Sequence, residues 1–77
     1  MKVVYVTWID SSTDDGWQDA NELDERPDLV HSVGFLVKET DTLLVIANSY
    51  DPATGHSNGR MSIPLVSIQK VKTIKWT

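Results

Sequence analysis

GFLVKETDTLLVIANSY, residues Gly34 to Tyr50, is an apolar run, a short polar break and a second apolar run. Each run has strand length and is rich in the aliphatic and aromatic residues that strands favour. Glu39 to Asp41 supply the turn. The stretch therefore predicts a β-hairpin at the centre of a small all-β domain.

Upstream, LVHSVGFLVK (29–38) makes the second strand of the chain. Its two alternating sets differ. Leu29, His31, Val33, Phe35 and Val37 form the more apolar one and are expected to face the core, against Val30, Ser32, Gly34, Leu36 and Lys38. Gly34 inside a strand predicts a strong bend, a bulge or a close approach by another backbone. Downstream, TLLVIANSY (42–50) is the third strand, apolar on both faces at its start and polar at its end.

The remaining elements follow outward. VVYVTWI (3–9) is the first strand and is apolar on both faces, so it is buried twice or covered by another molecule. Residues 10–28 form a long acidic first loop. In it Asp15-Gly16 signals a turn, and Trp17 to Arg26 suit a short helix that Pro27 stops. Residues 51–59, DPATGHSNG, are a loop whose Asn58-Gly59 pair signals a tight turn. RMSI (60–63) is a short fourth strand with Met61 and Ile63 inward. Pro64 lacks a backbone donor and belongs at a strand end. Pro64 to Ile68 suit one 3₁₀ turn, and 69–76 the fifth strand. Ile68, Val71 and Ile74 are three apart, so either the turn runs on to Val71 or the strand is twisted or bulged.

With 77 residues the chain is one domain, 1–77, of a size at which a hydrophobic core is marginal. It has no cysteine, hence no disulfide or thiolate metal site, and two histidines. A homo-oligomer is the expected extra support. No segment approaches the ~20 apolar residues of a membrane span. The N-terminus reads as a strand rather than a leader, and a cytoplasmic location is expected. The formal net charge is −4 and it is polarised. Residues 10–28 hold eight acids and one base, whereas residues 59–77 hold four bases and no acid. Overall acidity disfavours sequence-independent nucleic-acid binding.

The element order, with Ile63-Pro64 followed by Ile68, Val71 and Ile74, resembles that of small SH3-like barrels. Val33-Gly34-Phe35 followed by Leu43–Ile46 is similar to the central hairpin of Sm-like barrels. The chain also resembles a group of short tailed-phage and prophage proteins. The shared motifs are Val6-Thr7-Trp8-Ile9-Asp10, Gly16-Trp17, His31-Ser32-Val33-Gly34-Phe35 and Ile63-Pro64 with Ile68. The resemblance implies a five-stranded SH3-like/Sm-like barrel in the host cell cytoplasm. Sm-like relatives imply ring assembly; their RNA-contacting motifs are not matched.

Candidate sites are few. Ser11, Thr13, Asp15, Asp19 and Glu22 fall on calcium-loop spacing around Gly16, but Ser stands where Asp should open the loop, and no metal is expected. No acid among Asp14, Asp15, Asp19, Asp24 and Glu25 is set apart from its neighbours as catalytic pairs require. Histidine stands beside serine at His31-Ser32 and His56-Ser57, but His31 and Ser32 point apart on their strand, and there is no nucleophile-elbow pattern. No enzyme and no cofactor is expected. The ligand-binding candidates are Trp17, His31, Asn48, Tyr50, His56 and Arg60. Trp17 is an aromatic in a polar loop. Tyr50 could stack, Asn48 hydrogen-bond, and Arg60 grip phosphate or carboxylate. The function these suggest is a non-enzymatic, stoichiometric phage-type accessory protein, holding a host protein or a small nucleotide signal. A virion or complex-assembly component is the alternative, and a nucleic-acid-binding barrel the weaker one.

Overall fold

The computed structural model describes residues 1–10 and 28–74. The residues expected to form the acidic loop and its short helix, with the calcium-like spacing and Trp17, and the expected end of the fifth strand, lie outside those residues. The described chain is all-β. Strands β1 (Val3–Asp10), β2 (Asp28–Glu39), β3 (Leu43–Asp51), β4 (His56–Pro64) and β5 (Ile68–Ile74) form one antiparallel sheet in the order β4-β3-β2-β1-β5. A single 3₁₀ turn, Leu65–Ser67, joins β4 to β5. β4 and β5 are the two edges, so the sheet is not closed.

The inner face carries the core. Val4 and Val6 of β1, Leu44 and Ile46 of β3 and Ile63 of β4 are buried together. Trp8, Leu36, Leu65 and Ile68 pack around them. The 3₁₀ turn therefore serves as the lid of this core. Its first residue donates its N–H to the Thr42 carbonyl at 2.9 Å, which ties it to the β2–β3 turn. Trp8 satisfies its indole N–H on Ser32 Oγ at 3.0 Å, as a half-buried Trp requires.

The core face of β2 is the reverse of the expected one. Val4 pairs with Gly34 and Val6 with Ser32, so the Val30–Ser32–Gly34–Leu36 set faces inward. Leu29, His31 and Val33 are exposed on the other side. The cause is visible at Gly34. A Cβ there would meet the Ala47 carbonyl oxygen at 2.9 Å and Ile46 Cβ at 3.1 Å. Only a residue without a side chain lets β3 come so close, which is the close approach anticipated for this glycine. The register then slips between Leu36 and Lys38, leaving Val37 as the extra residue of a bulge.

One further expectation changes, and the alternative left open for β5 resolves to a bulge. Asn58-Gly59 is not the turn. β4 begins at His56 and the turn is 52–55, closed by the Gly55 N–H on the Asp51 carbonyl at 2.8 Å. Asp51 also takes the Ala53 N–H on its carboxylate at 2.9 Å. In β5 the spacing of three is a bulge. Trp8 pairs with Ile68 and Thr7 with Lys70, so Gln69 is the extra residue. Ile68 and Val71 share the inner side, and Ile74 falls on the outer one beside Val3. Met61 pairs with the buried Ile46 and so lies on the inner side as expected; on the edge strand it is still 44% exposed, and the Ser32 hydroxyl reaches its sulfur at 3.9 Å.

Candidate functional site

The β3–β4 hairpin gathers four of the six candidate residues. Asn48 and Tyr50 sit on β3, His56 and Arg60 on β4. Tyr50 pairs with Ser57, Asp51 with His56 and Ala47 with Arg60. Adjacency in the ladder does not put all four in one place. Tyr50 and Arg60 line a cleft of about 510 Å³ together with Lys38, Ser57 and Ser62. Asn48 lines a neighbouring hollow of about 430 Å³ with Arg60 and Met61. His56 lines a smaller one of about 240 Å³ with Tyr50 and Asn58. Arg60 and Tyr50 are thus each shared between two hollows, and the Tyr50–Arg60 cleft is the centre of the group.

The cleft is built by register. Lys38, Val45 and Ser62 form one row across β2, β3 and β4, and Phe35, Ala47 and Arg60 form another. Paired residues project to one side of a sheet, so Lys38, Ser62 and Arg60 share a face. Val45 and Val37 give it apolar walls. The Tyr50 ring leans on Phe35 with centroids 6.3 Å apart and planes at 41°, a tilted pair of the favourable kind. That contact holds the half-buried tyrosine at the cleft wall.

Gly59 positions the neighbouring Asn48. Its φ is +68° and a Cβ placed there would come 2.6 Å from Asn48 Nδ2. The Asn48 amide lies over this bare backbone, and the left-handed residue kinks β4 where a side chain would be strained. The Asn-Gly pair thus marks a real backbone need, met inside a strand rather than in a turn.

His31 belongs to a separate group. It lies on the outer face of β2 and pairs with Thr7. Its Nδ1 is 2.7 Å from the Tyr5 hydroxyl and 3.4 Å from Thr7 Oγ1. Trp17 lies outside the described residues. Lys38, Ser57 and Ser62 were not among the sequence candidates. Ser62 follows from Arg60 by the two-residue period, and Lys38 from the hairpin register once the Val37 bulge is known.

A guanidinium, an ammonium, two hydroxyls and an aromatic ring at one cleft can hold an anion attached to a flat ring. Arg supplies a planar fork and Lys a point charge. Among the described residues no group of three or more His, Asp or Glu is placed to hold a metal ion. No helix among them is long and apolar enough to cross a membrane. Compared with protein-family models, curated proteins and solved structures, the chain has no match.

Proposed function

We propose that this chain is a non-enzymatic binding protein that holds a small nucleotide-like anion stoichiometrically at the Tyr50–Arg60 cleft. The observation that carries this is the convergence of Arg60 and Lys38 with Tyr50, Ser57 and Ser62 on about 510 Å³. That volume is within the range of small-molecule sites. The phosphate would lie between Arg60 and Lys38, the ring against Tyr50, and the serine hydroxyls on sugar or phosphate oxygens. Sequestration without turnover fits a phage-type accessory protein acting on a host signal. An SH3-like relationship is part of the same proposal. It is supported by the strand order, by the 3₁₀ turn before the last strand and by the core shared between β1 and the β3–β4 hairpin.

The chain would act as a homo-oligomer. Both edges, β4 and β5, offer backbone groups with no strand partner among the described residues, and the core is small. The test is a thermal-shift panel of mono-, di- and cyclic nucleotides. A ligand that binds the folded state raises the melting temperature. The expected result is a rise with at least one nucleotide, abolished by Arg60→Ala and reduced by Lys38→Ala. No rise with any member of the panel, or a rise that Arg60→Ala leaves intact, overturns the proposal.

A further inference from the structure

Among the described residues the core cluster lies on one face of the sheet. Pairing across β5, β1 and β2 sets the other face in rows: Ile74–Val3–Phe35, then Lys72–Tyr5–Val33, then Lys70–Thr7–His31. The Ile9–Leu29 pair closes the series. Leu29 and Val33 are each 52% exposed and Ile74 is 37% exposed, with Tyr5 half-buried between them. Large exposed hydrophobic residues contiguous on one sheet face mark an interaction surface.

The charge on this face has one sign. Its ionisable cations are Lys70 and Lys72, with His31 beside them, and no acid occupies the β1, β2 or β5 positions of these rows. Asp10, at the end of β1, belongs to the alternate series that faces the core side. This occurs on a chain whose net charge is −4. Twofold self-packing of the same face would gather the Lys70 and Lys72 charges of two copies on one interface with no acid of these rows to pair them, which like-charge repulsion opposes.

A hollow of about 480 Å³ opens beside the rows, lined by Tyr5, Lys72, Thr73 and Ile74. It is an open hollow with Tyr5 and Ile74 as apolar walls and the Lys72 ammonium on its rim, where an apolar side chain could rest. The Tyr5 hydroxyl is held to His31 at 2.7 Å, so the tyrosine side of the hollow is fixed in place. Anchors in pockets surrounded by weaker contacts are the usual energetic centre of a protein interface.

We infer that the outer face of β5–β1–β2 is a docking surface for a second protein that presents an acidic, apolar-studded segment. An aliphatic or aromatic side chain of the partner fills the Tyr5–Ile74 hollow. Its neighbouring carboxylates meet Lys70 and Lys72. The surface adjoins the Tyr50–Arg60 cleft through Phe35, which ends the Ile74–Val3–Phe35 row and packs on Tyr50, but the hollow and the two lysines that define it belong to β1 and β5.

The probe is a fluorescent twelve-residue peptide alternating Glu with Leu and Trp, compared with its Lys-for-Glu counterpart, measured by anisotropy on the full chain. The acidic peptide should bind, at least tenfold more tightly than the basic one, and binding should weaken with added salt. Val33→Glu and Lys72→Glu should each weaken it at least tenfold, while Val66→Ala, at an exposed position of the 3₁₀ turn outside these rows, leaves it unchanged. Circular dichroism of each variant checks folding, and Lys72→Gln, an exposed-site change, keeps the test open if Val33→Glu does not fold. Equal binding of both peptides, no binding of either, or binding indifferent to Lys72 overturns the inference. Binding that emerges only after the chain's own acids between Asp14 and Glu25 are neutralised also overturns it, because the occupant is then internal.

Discussion

At the scale of single residues, two glycines carry the fold's tightest geometry. Gly34→Ala would drive a methyl group to 2.9 Å from a backbone oxygen of β3. Backbone cannot swing aside as a side chain can, so the strands must part. The expected cost is about 1–3 kcal/mol, the range for overpacking a filled site, read as a lower urea midpoint with an unchanged slope. Gly59 is different, because its neighbour is the Asn48 side chain and its φ is +68°. Gly59→Ala therefore has two penalties: a left-handed backbone, about 1–2 kcal/mol for an L-residue, and a clash with the amide. Asn48→Ala removes the amide but not the backbone strain. The double variant should be less destabilised than the sum of the singles by at least ~0.5 kcal/mol. Strict additivity in a urea double-mutant cycle would show that the amide does not press on Gly59.

At the scale of elements, the β3–β4 turn rests on Asp51, which accepts the Ala53 N–H on its carboxylate and the Gly55 N–H on its carbonyl. Asp51→Ala removes only the first bond, at about 0.5–1.5 kcal/mol. Because Tyr50 and His56 flank this turn, hydrogen exchange should quicken at the Ala53 and His56 amides before it does in β1. Asp51→Asn keeps an acceptor and should restore protection; equal exchange in both variants would remove Asp51 from this role. The strands themselves were legible. Apolar runs bounded by polar breaks placed β1, β2 and β3 to within a residue or two. The inner face of β2 was not, since period-2 patterning selects the more apolar set. In this strand the more apolar set, Leu29, His31, Val33 and Phe35, lies outside. Gly34 and Ser32 look polar or neutral yet occupy the inner series, one for closeness and one to accept from Trp8. Asn58-Gly59 misled for a related reason. A positive φ is needed there, but Asp51-Pro52 closes the chain first. Of the site, Tyr50 and Arg60 were readable as neighbours. Lys38 was hidden by the Val37 bulge, which shifts the register by one.

At the scale of the molecule, the balance between core and surface decides how the chain lives in solution. Six hydrophobic residues are buried among those described, and five of them form the core cluster. A chain of 77 residues buries a modest share of its unfolded surface, and no cross-link adds to it. The edges β4 and β5 remain open to pairing. If copies associate along those edges, unfolding of a dimer releases two chains and its equilibrium depends on concentration. Each tenfold rise in protein then adds about 1.4 kcal/mol per dimer, or about 3–6 °C of melting temperature at this size. The apolar outer face makes a contrary contribution. With Lys70 and Lys72 on it, self-association through that face should be suppressed at low salt and favoured at high salt, as the ammonium charges are screened. Pairing along β4, whose one permanent charge is Arg60, has a weaker dependence, whereas pairing along β5 brings the same lysines together and shares it. Melting curves at three protein concentrations, each at low and high salt, separate the cases. A concentration dependence that persists at both salts indicates assembly along the β4 edge. One that appears only at high salt indicates the lysine-bearing side, the outer face or the β5 edge, and a flat melting temperature throughout excludes the homo-oligomer.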